Sequence, residues 1–475
     1  MNHDPNNPAS GGADAPERLS HEYPARGPGG NDAGAGRWSE RLRARRQAAP
    51  PVAEPVVEGK LTRVVGLTME AQGCSTSLGG RVEVETETGG RVQAEVVGFS
   101  GERLLLMPVD PLTGVLPAAR VIPRKTSASI PVGDALLGRV LDGTGKPLDG
   151  LGPLRASATA PLNPPAINPL KRAPIKEKLD TGVRAINAML TVGKGQRMGL
   201  FAPAGVGKST LLGMMTKHTN ADVVVVGLIG ERGREVQEFI NDILGPEGLK
   251  RSVVVAAPAD TPPLMRVHAA HSACAVAEYF RDQGRQVLLL MDSLTRYAQA
   301  LREIGLAIGE PPAMRGFSPS VFARIPQLVE RAGTGDKGGS ITAFYTVLTD
   351  ADAEQDPVAE SARAILDGHI VLSRRLAEKG QFPAIDVEAS ISRLMTAIVT
   401  PEHQEIARRF RRLLATYHQN QDLMDVGAYV PGSNPEIDAA IKMYPKLLEY
   451  LRQRTDDRVS LDDSIAQLAK LVAKD

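Results

Sequence analysis

The sequence predicts an α/β protein in which a parallel sheet flanked by helices is preceded by a small antiparallel barrel and followed by helices alone. Three observations predict it. Residues 60–125 carry short runs that alternate apolar and polar between glycines. From about 181 the apolar runs become continuous and are separated by helix-length segments, and beyond about 395 only helical periodicity remains. With 475 residues, 42% hydrophobic and 23% charged, the chain has material for roughly three domains of about 150 residues. Its formal net charge of +1 gives no overall pull toward nucleic acid or anionic lipid.

Residues 1–58 hold 7 Gly and 8 Pro but only six of Ile, Leu, Val, Met and Phe, so this tail cannot build a core and reads as disordered. Within it, 37–46 gathers five arginines around Trp38, the only tryptophan, with Leu42 at helical spacing. That run is either a solvated charge stretch or a short helix that orders on a partner or an acidic membrane surface. The start, Met1 to Pro5, has no basic-then-apolar signal, so the protein is expected to stay in the cytoplasm, where it is made. No apolar run approaches the roughly 20 residues a membrane span requires. Cys74 and Cys274, far apart, read as reduced thiols that fill space.

Val82–Thr86, Val92–Val96 and Leu104–Leu106 alternate with period two, which places a barrel or sandwich at 59–125. Residues 126–180 are rich in Pro and Gly and read as a linker with one or two strands, such as Leu136 to Leu141. The runs Arg197–Ala202, Asp222–Ile229, Ser252–Ala257, Gln286–Met291 and Ser340–Leu348 read as strands buried on both faces, which defines a parallel sheet within 181–395. Residues 396–475 form a helical domain. There Ile441, Tyr444, Leu448 and Leu451 share a face, and Ser460 with Asp463 opens the last helix.

Ala202-Pro203-Ala204-Gly205-Val206-Gly207-Lys208-Ser209, followed by Thr210, has the form of a P-loop with Ala in place of the first Gly. It follows a predicted strand and opens a predicted helix, so backbone N–H groups and the helix dipole converge on phosphate. Lys208 neutralises β- and γ-oxygens of ATP in such a loop, and Ser209 ligates Mg²⁺. Gln286–Asp292 ends an apolar strand in an acid at the carboxyl edge, where Asp292 holds Mg²⁺ directly or through water. Alone, Asp292 is equally a helix N-cap; beside the P-loop it completes a nucleotide site. Glu231, after the strand 222–229, is suited to polarise an attacking water, and otherwise only complements the next helix N-terminus. His268 and His271, three apart on a helix, lack a third ligand and read as an ordinary helix face.

The P-loop, Gly230-Glu231-Arg232-Gly233-Arg234-Glu235-Val236 and Met291-Asp292-Ser293-Leu294-Thr295-Arg296-Tyr297 together resemble the catalytic subunits of rotary F/V-type ATPases, with a RecA-like P-loop core. Within that superfamily the chain is similar to the type III protein-export ATPases over about 60–475, on Gly309-Glu310-Pro311-Pro312, Gly339 to Leu348 and Leu366 to Arg374. Gln355 to Ala359 and Ile385 to Arg393 look flagellar rather than injectisome-like. Met314, where the family usually shows Thr, and Pro203-Ala204 inside the P-loop are departures that remove no catalytic group.

The resemblance implies a homo-hexamer with ATP at each subunit interface. It makes Arg393 an arginine finger for the neighbour's ATP, an element worth on the order of 10³ to 10⁵ in rate. It sets Arg232 beside the γ-phosphate, or in an ion pair with a helix carboxylate, and sets Phe382 and Tyr429 against adenine. It further implies a stator-like partner for 1–58, a coiled-coil central stalk, export-gate membrane proteins at a peripheral site, chaperone–substrate complexes, and no nucleic acid. The rivals are an injectisome ATPase, a rotary ATP synthase catalytic subunit and an RNA-translocating ring helicase. The barrel region has Phe99 as its only aromatic, which argues against RNA.

Overall fold

The computed structural model describes residues 38, 40–45, 56–124, 128–349 and 356–473. In the tail, residues 38 and 40–45 are helical and exposed, Trp38 and Leu42 among them. The remaining expectations for 1–58 fall outside the described residues, as does the start of the Gln355 stretch.

Six antiparallel strands close into a barrel in the order Gly59–Val65, Thr68–Gln72, Arg103–Pro108, Arg91–Ser100, Arg81–Glu85 and Arg120–Pro123. Alternation sends Leu61, Met69, Val82, Val84, Val96, Leu106 and Val121 inward to a core of their own. Closure leaves no free sheet edge, which resolves barrel against sandwich.

The main sheet runs, in spatial order, Ile385–Ser392, Gly368–Leu372, Arg197–Ala202, Ser340–Leu348, Gln286–Asp292, Val223–Ile229, Ser252–Ala257 and Val140–Leu141. All its neighbouring pairs are parallel except the first. The five continuous apolar strands appear within one residue of their expected bounds because both faces are covered. Helices Pro263–Arg281, Leu294–Ala307 and Pro319–Val329 pack on one face. Lys208–His218 and the carboxyl-terminal helices pack on the other.

Two departures from expectation matter. The segment 126–180 is more than a connector: Val140–Leu141 extends the main sheet beside Ser252–Ala257. The Arg139–Asp149 pair, at 2.7 and 2.9 Å, folds the following loop back onto that strand. The hairpin Gly368–Leu372 and Ile385–Ser392 adds two strands at the opposite edge.

The three carboxyl-terminal helices start as their sequences dictate. Thr400, Asn434 and Ser460 accept from the backbone N–H of His403, Glu436 and Asp463, and Pro401 and Pro435 occupy first-turn positions where no N–H is needed. His268 is not on a bare helix face: it is buried, with Nε2 2.8 Å from Glu95 Oε2 of the barrel. His271 lies between Tyr297 Oη and Arg331, and burial pushes its pKa down to about 3.

Candidate active site

The phosphate loop joins the strand Arg197–Ala202 to the helix Lys208–His218. Gly205 and Gly207 have φ of +79° and +88°, which an L side chain rarely adopts, and Gly207 is the helix N-cap. Ala202 is a strand residue outside the left-handed region, so Ala in the first position of the motif carries no backbone strain. Pro203 and Ala204 occupy the turn, Val206 is buried as its anchor, and Ser209 and Thr210 sit in the first helical turn.

The strand Val223–Ile229, which precedes Glu231, follows the P-loop helix in sequence but is not the spatial neighbour of the P-loop strand Arg197–Ala202. Ser340–Leu348 and Gln286–Asp292 lie between. Converging side chains nevertheless bring three charges together. Lys208 donates through Nζ to Asp292 Oδ1 at 2.5 Å and to Glu231 Oε1 at 3.4 Å. Asp292 also accepts from Thr346 Oγ1 at 2.6 Å, a buried positioning contact that no local motif announces.

Burial works against the Lys208 charge, but the Asp292 and Glu231 carboxylates outweigh it and hold its pKa above the ordinary lysine value. Glu231 is pushed up to about 7, first by burial, then by the negative charge of Asp292 and a hydrogen bond with Glu235, with Lys208 partly offsetting them. The cluster therefore has a carboxyl poised near neutrality beside a lysine shared with a second carboxylate.

Beside this cluster lies a cavity of about 580 Å³ whose lining includes Val206, Gly207, Thr210, Phe382, Gln453 and Arg184. The Phe382 ring stacks over the P-loop, 3.7 Å from where a Cβ on Gly207 would stand. The carboxyl-terminal domain closes the far rim. The Gln453 backbone N–H donates to Phe382 O at 3.0 Å, its Oε1 accepts from the Arg184 N–H at 2.8 Å and its Nε2 donates to Gly182 O at 2.8 Å. Sequence reading missed Gln453, because the run after Leu451 looks like an ordinary helix end.

Three other expected site residues stand apart from the cluster. Arg232 is exposed and pairs with Glu235 at 3.6 Å. Tyr429 is outside the cavity lining, and its hydroxyl donates to Asp438 Oδ1 at 2.9 Å at the start of the helix Pro435–Leu451. Arg393 is exposed just past the strand Ile385–Ser392. Because Ser392 pairs with Gly368 whereas Ile385 pairs with Leu372, Arg393 lies at the sheet edge opposite its own P-loop. That is four strand steps, about 13 Å, away.

The chain is similar to known proteins along most of its length. The family described as "ATP synthase alpha/beta family, nucleotide-binding domain" matches residues 182–392, and "T3SS EscN ATPase C-terminal domain" matches 399–470. The "Flagellum-specific ATP synthase" of Pseudomonas aeruginosa is 59% identical over 440 residues, 92% of this chain and 98% of that protein. Its counterpart in Salmonella typhimurium is 59% identical over 421 residues, 86% and 92%. A "Type 3 secretion system ATPase" of Xanthomonas euvesicatoria is 50% identical over 414 residues, 87% and 93%. Among solved structures, the assembled ATPase EscN of the enteropathogenic E. coli type III secretion system superposes with a TM-score of 0.83 at 43% identity, covering 87% of this chain and all of that one. The two flagellar proteins named here, at 59%, exceed the Xanthomonas protein, at 50%, in identity to this chain. The chain belongs to the ATP synthase alpha/beta family, as an ATPase of its flagellum-specific, type III export branch.

Proposed function

We propose that the chain works in the cytoplasm as a peripheral ring of six at the base of the flagellar export apparatus, hydrolysing one ATP at each interface. The single observation that carries the reading is Lys208 shared between Asp292 and Glu231 beside the P-loop. When a triphosphate enters, Lys208 exchanges its carboxylate partners for β- and γ-phosphate oxygens, and backbone N–H groups of 205–209 complete the cradle. Released from the lysine, Glu231 accepts a hydrogen bond from a water and orients it toward the γ-phosphorus.

Ser209 and Asp292 offer only hard oxygen donors, which fits Mg²⁺, and they would hold it. When bound, Mg²⁺ neutralises charge on the phosphate oxygens. Phe382 and the Gln453 rim receive the adenine, and Tyr429 and Arg232 join the nucleotide when the neighbouring subunit closes on it.

The distance of Arg393 from its own P-loop supports a role in trans, with its guanidinium stabilising charge on the next subunit's γ-phosphate. An assembled EscN and an EscN complex with its central stalk EscO have been solved, which supports the hexamer and a coiled-coil stalk for this chain. The tail 1–58 would dock a stator-like regulator, the barrel 59–125 and linker 126–180 would order the ring around the 181–395 ATPase domain, and the 396–475 helices would face the stalk. Hydrolysis would release export substrates from chaperones at the membrane gate.

ATPase activity measured against protein concentration tests this for wild type and Glu231→Gln. The expected result is specific activity that rises with assembly and is lost in the variant while nucleotide binding persists. A specific activity independent of concentration would overturn the shared site, and an active Glu231→Gln would overturn the role of Glu231.

A further inference from the structure

The Arg393 side chain does not hang free. Its Nη2 donates to the backbone carbonyl of Arg363 at 3.1 Å, and its backbone N–H donates to Asp367 O at 3.0 Å. Arg363 lies in the last turn of the helix Pro357–Ile365, where carbonyls lack intrahelical partners and a cation is favoured. A guanidinium has five donors, so this contact fixes Arg393 and leaves the others for a ligand.

The helix end is itself held by an unusual contact. The Arg363 guanidinium lies over the Phe201 ring, 4.8 Å from its centroid, and its Nε is buried with no acceptor. Phe201 is 1% exposed, and its backbone is paired on both sides by Val347 and Val371. Gly199 makes this ring position available, since a Cβ there would stand 2.4 Å from Phe201 Cε2. The edge of His369 meets the same ring at 5.7 Å. A buried donor without an acceptor disfavours the fold, so an ion pair does not explain this cation; the stack on Phe201 does.

We propose that Arg363, stacked on Phe201, is the positioning residue for the Arg393 guanidinium that this chain offers to its neighbour's ATP. The inference rests on the trans role of Arg393 proposed above. Loss of the stack frees the last helical turn, moves the carbonyl that docks Arg393, and so displaces the guanidinium from the γ-phosphate. A misplacement of about 1 Å costs on the order of 100-fold in rate.

The test uses full-length chains mixed in pairs. Arg393→Ala and Glu231→Gln, each inactive alone, recover activity together because one supplies the P-loop site and the other the arginine. Arg363→Ala placed on the Glu231→Gln partner, which donates the arginine, is expected to cut recovered kcat by roughly 10- to 100-fold with KM for ATP unchanged. The same substitution on the Arg393→Ala partner is expected to leave recovery intact. Equal effects on the two partners, or none on either, overturn the positioning role alone. Failure of the parent pair to recover any activity overturns the shared site and this inference with it. Arg363→Lys, which keeps the charge but not the planar stack, gives the same directional reading if the alanine variant does not fold, with a smaller loss.

Discussion

In the cluster of Lys208, Asp292 and Glu231 one ammonium serves two carboxylates, and the more distant, Glu231, is pushed up to about 7 from the ordinary 4.5 by burial and by the charge of Asp292. The sign follows from linkage. The folded chain binds the Glu231 proton more tightly than the unfolded chain, so this stabilising contribution is present below the ordinary glutamate range and is lost as pH rises from about 4.5 through 7. Glu231→Gln removes the cost of ionising a buried carboxyl. It should therefore raise the nucleotide-free thermal midpoint at pH 8, with a gain that shrinks toward pH 5. A variant less stable than wild type at pH 8 would mean that the Lys208 pairing outweighs burial.

At the scale of elements, the segment after the barrel shows what linear patterns conceal. Asp149 accepts both guanidinium nitrogens of Arg139 and the backbone N–H groups of Val140 and Leu151, and Arg139, working against burial, draws its pKa down to about 2. This pair pins the Val140–Leu141 strand to the edge of the sheet. Asp149→Ala should cost about 3 kcal/mol locally, read as amide exchange across 139–151 that is faster by on the order of 100-fold. For a depressed carboxyl the stabilisation holds above the ordinary aspartate value of 3.8 and fades as pH falls toward 2. Sequence alone places a strand at 136–141 inside this linker but not its position in the main sheet, because its partner strand Ser252–Ala257 is far away in sequence and its fixing pair lies ten residues apart. The five continuous apolar strands and the last helix, opened by Ser460, were legible because burial on both faces and capping chemistry are local signals. The 368–392 hairpin was not read as strands, since one edge strand exposes alternate residues and the other is only five residues long. In the site, the P-loop, Glu231 and Asp292 were legible from motif context. Thr346, Gln453 and the Arg363–Phe201 stack were not, because each acts through a partner far away in sequence.

At the scale of the molecule, the sheet places the phosphate cradle and Arg393 at opposite edges of one domain. With Arg393 acting in trans, as proposed above, such a chain holds two halves of a site that face different neighbours. Such a head-to-tail contact closes into a ring when the rotation allows. On the proposal above, activity belongs to the interface and not to the subunit. The direct measurement is ATPase activity on mixing equal amounts of assembled Arg393→Ala and Glu231→Gln chains. With random incorporation, about a quarter of interfaces pair an intact cradle with an intact arginine, so recovery of up to roughly that fraction of wild-type activity is predicted. Co-assembly of the two variants with no recovered activity would contradict the account.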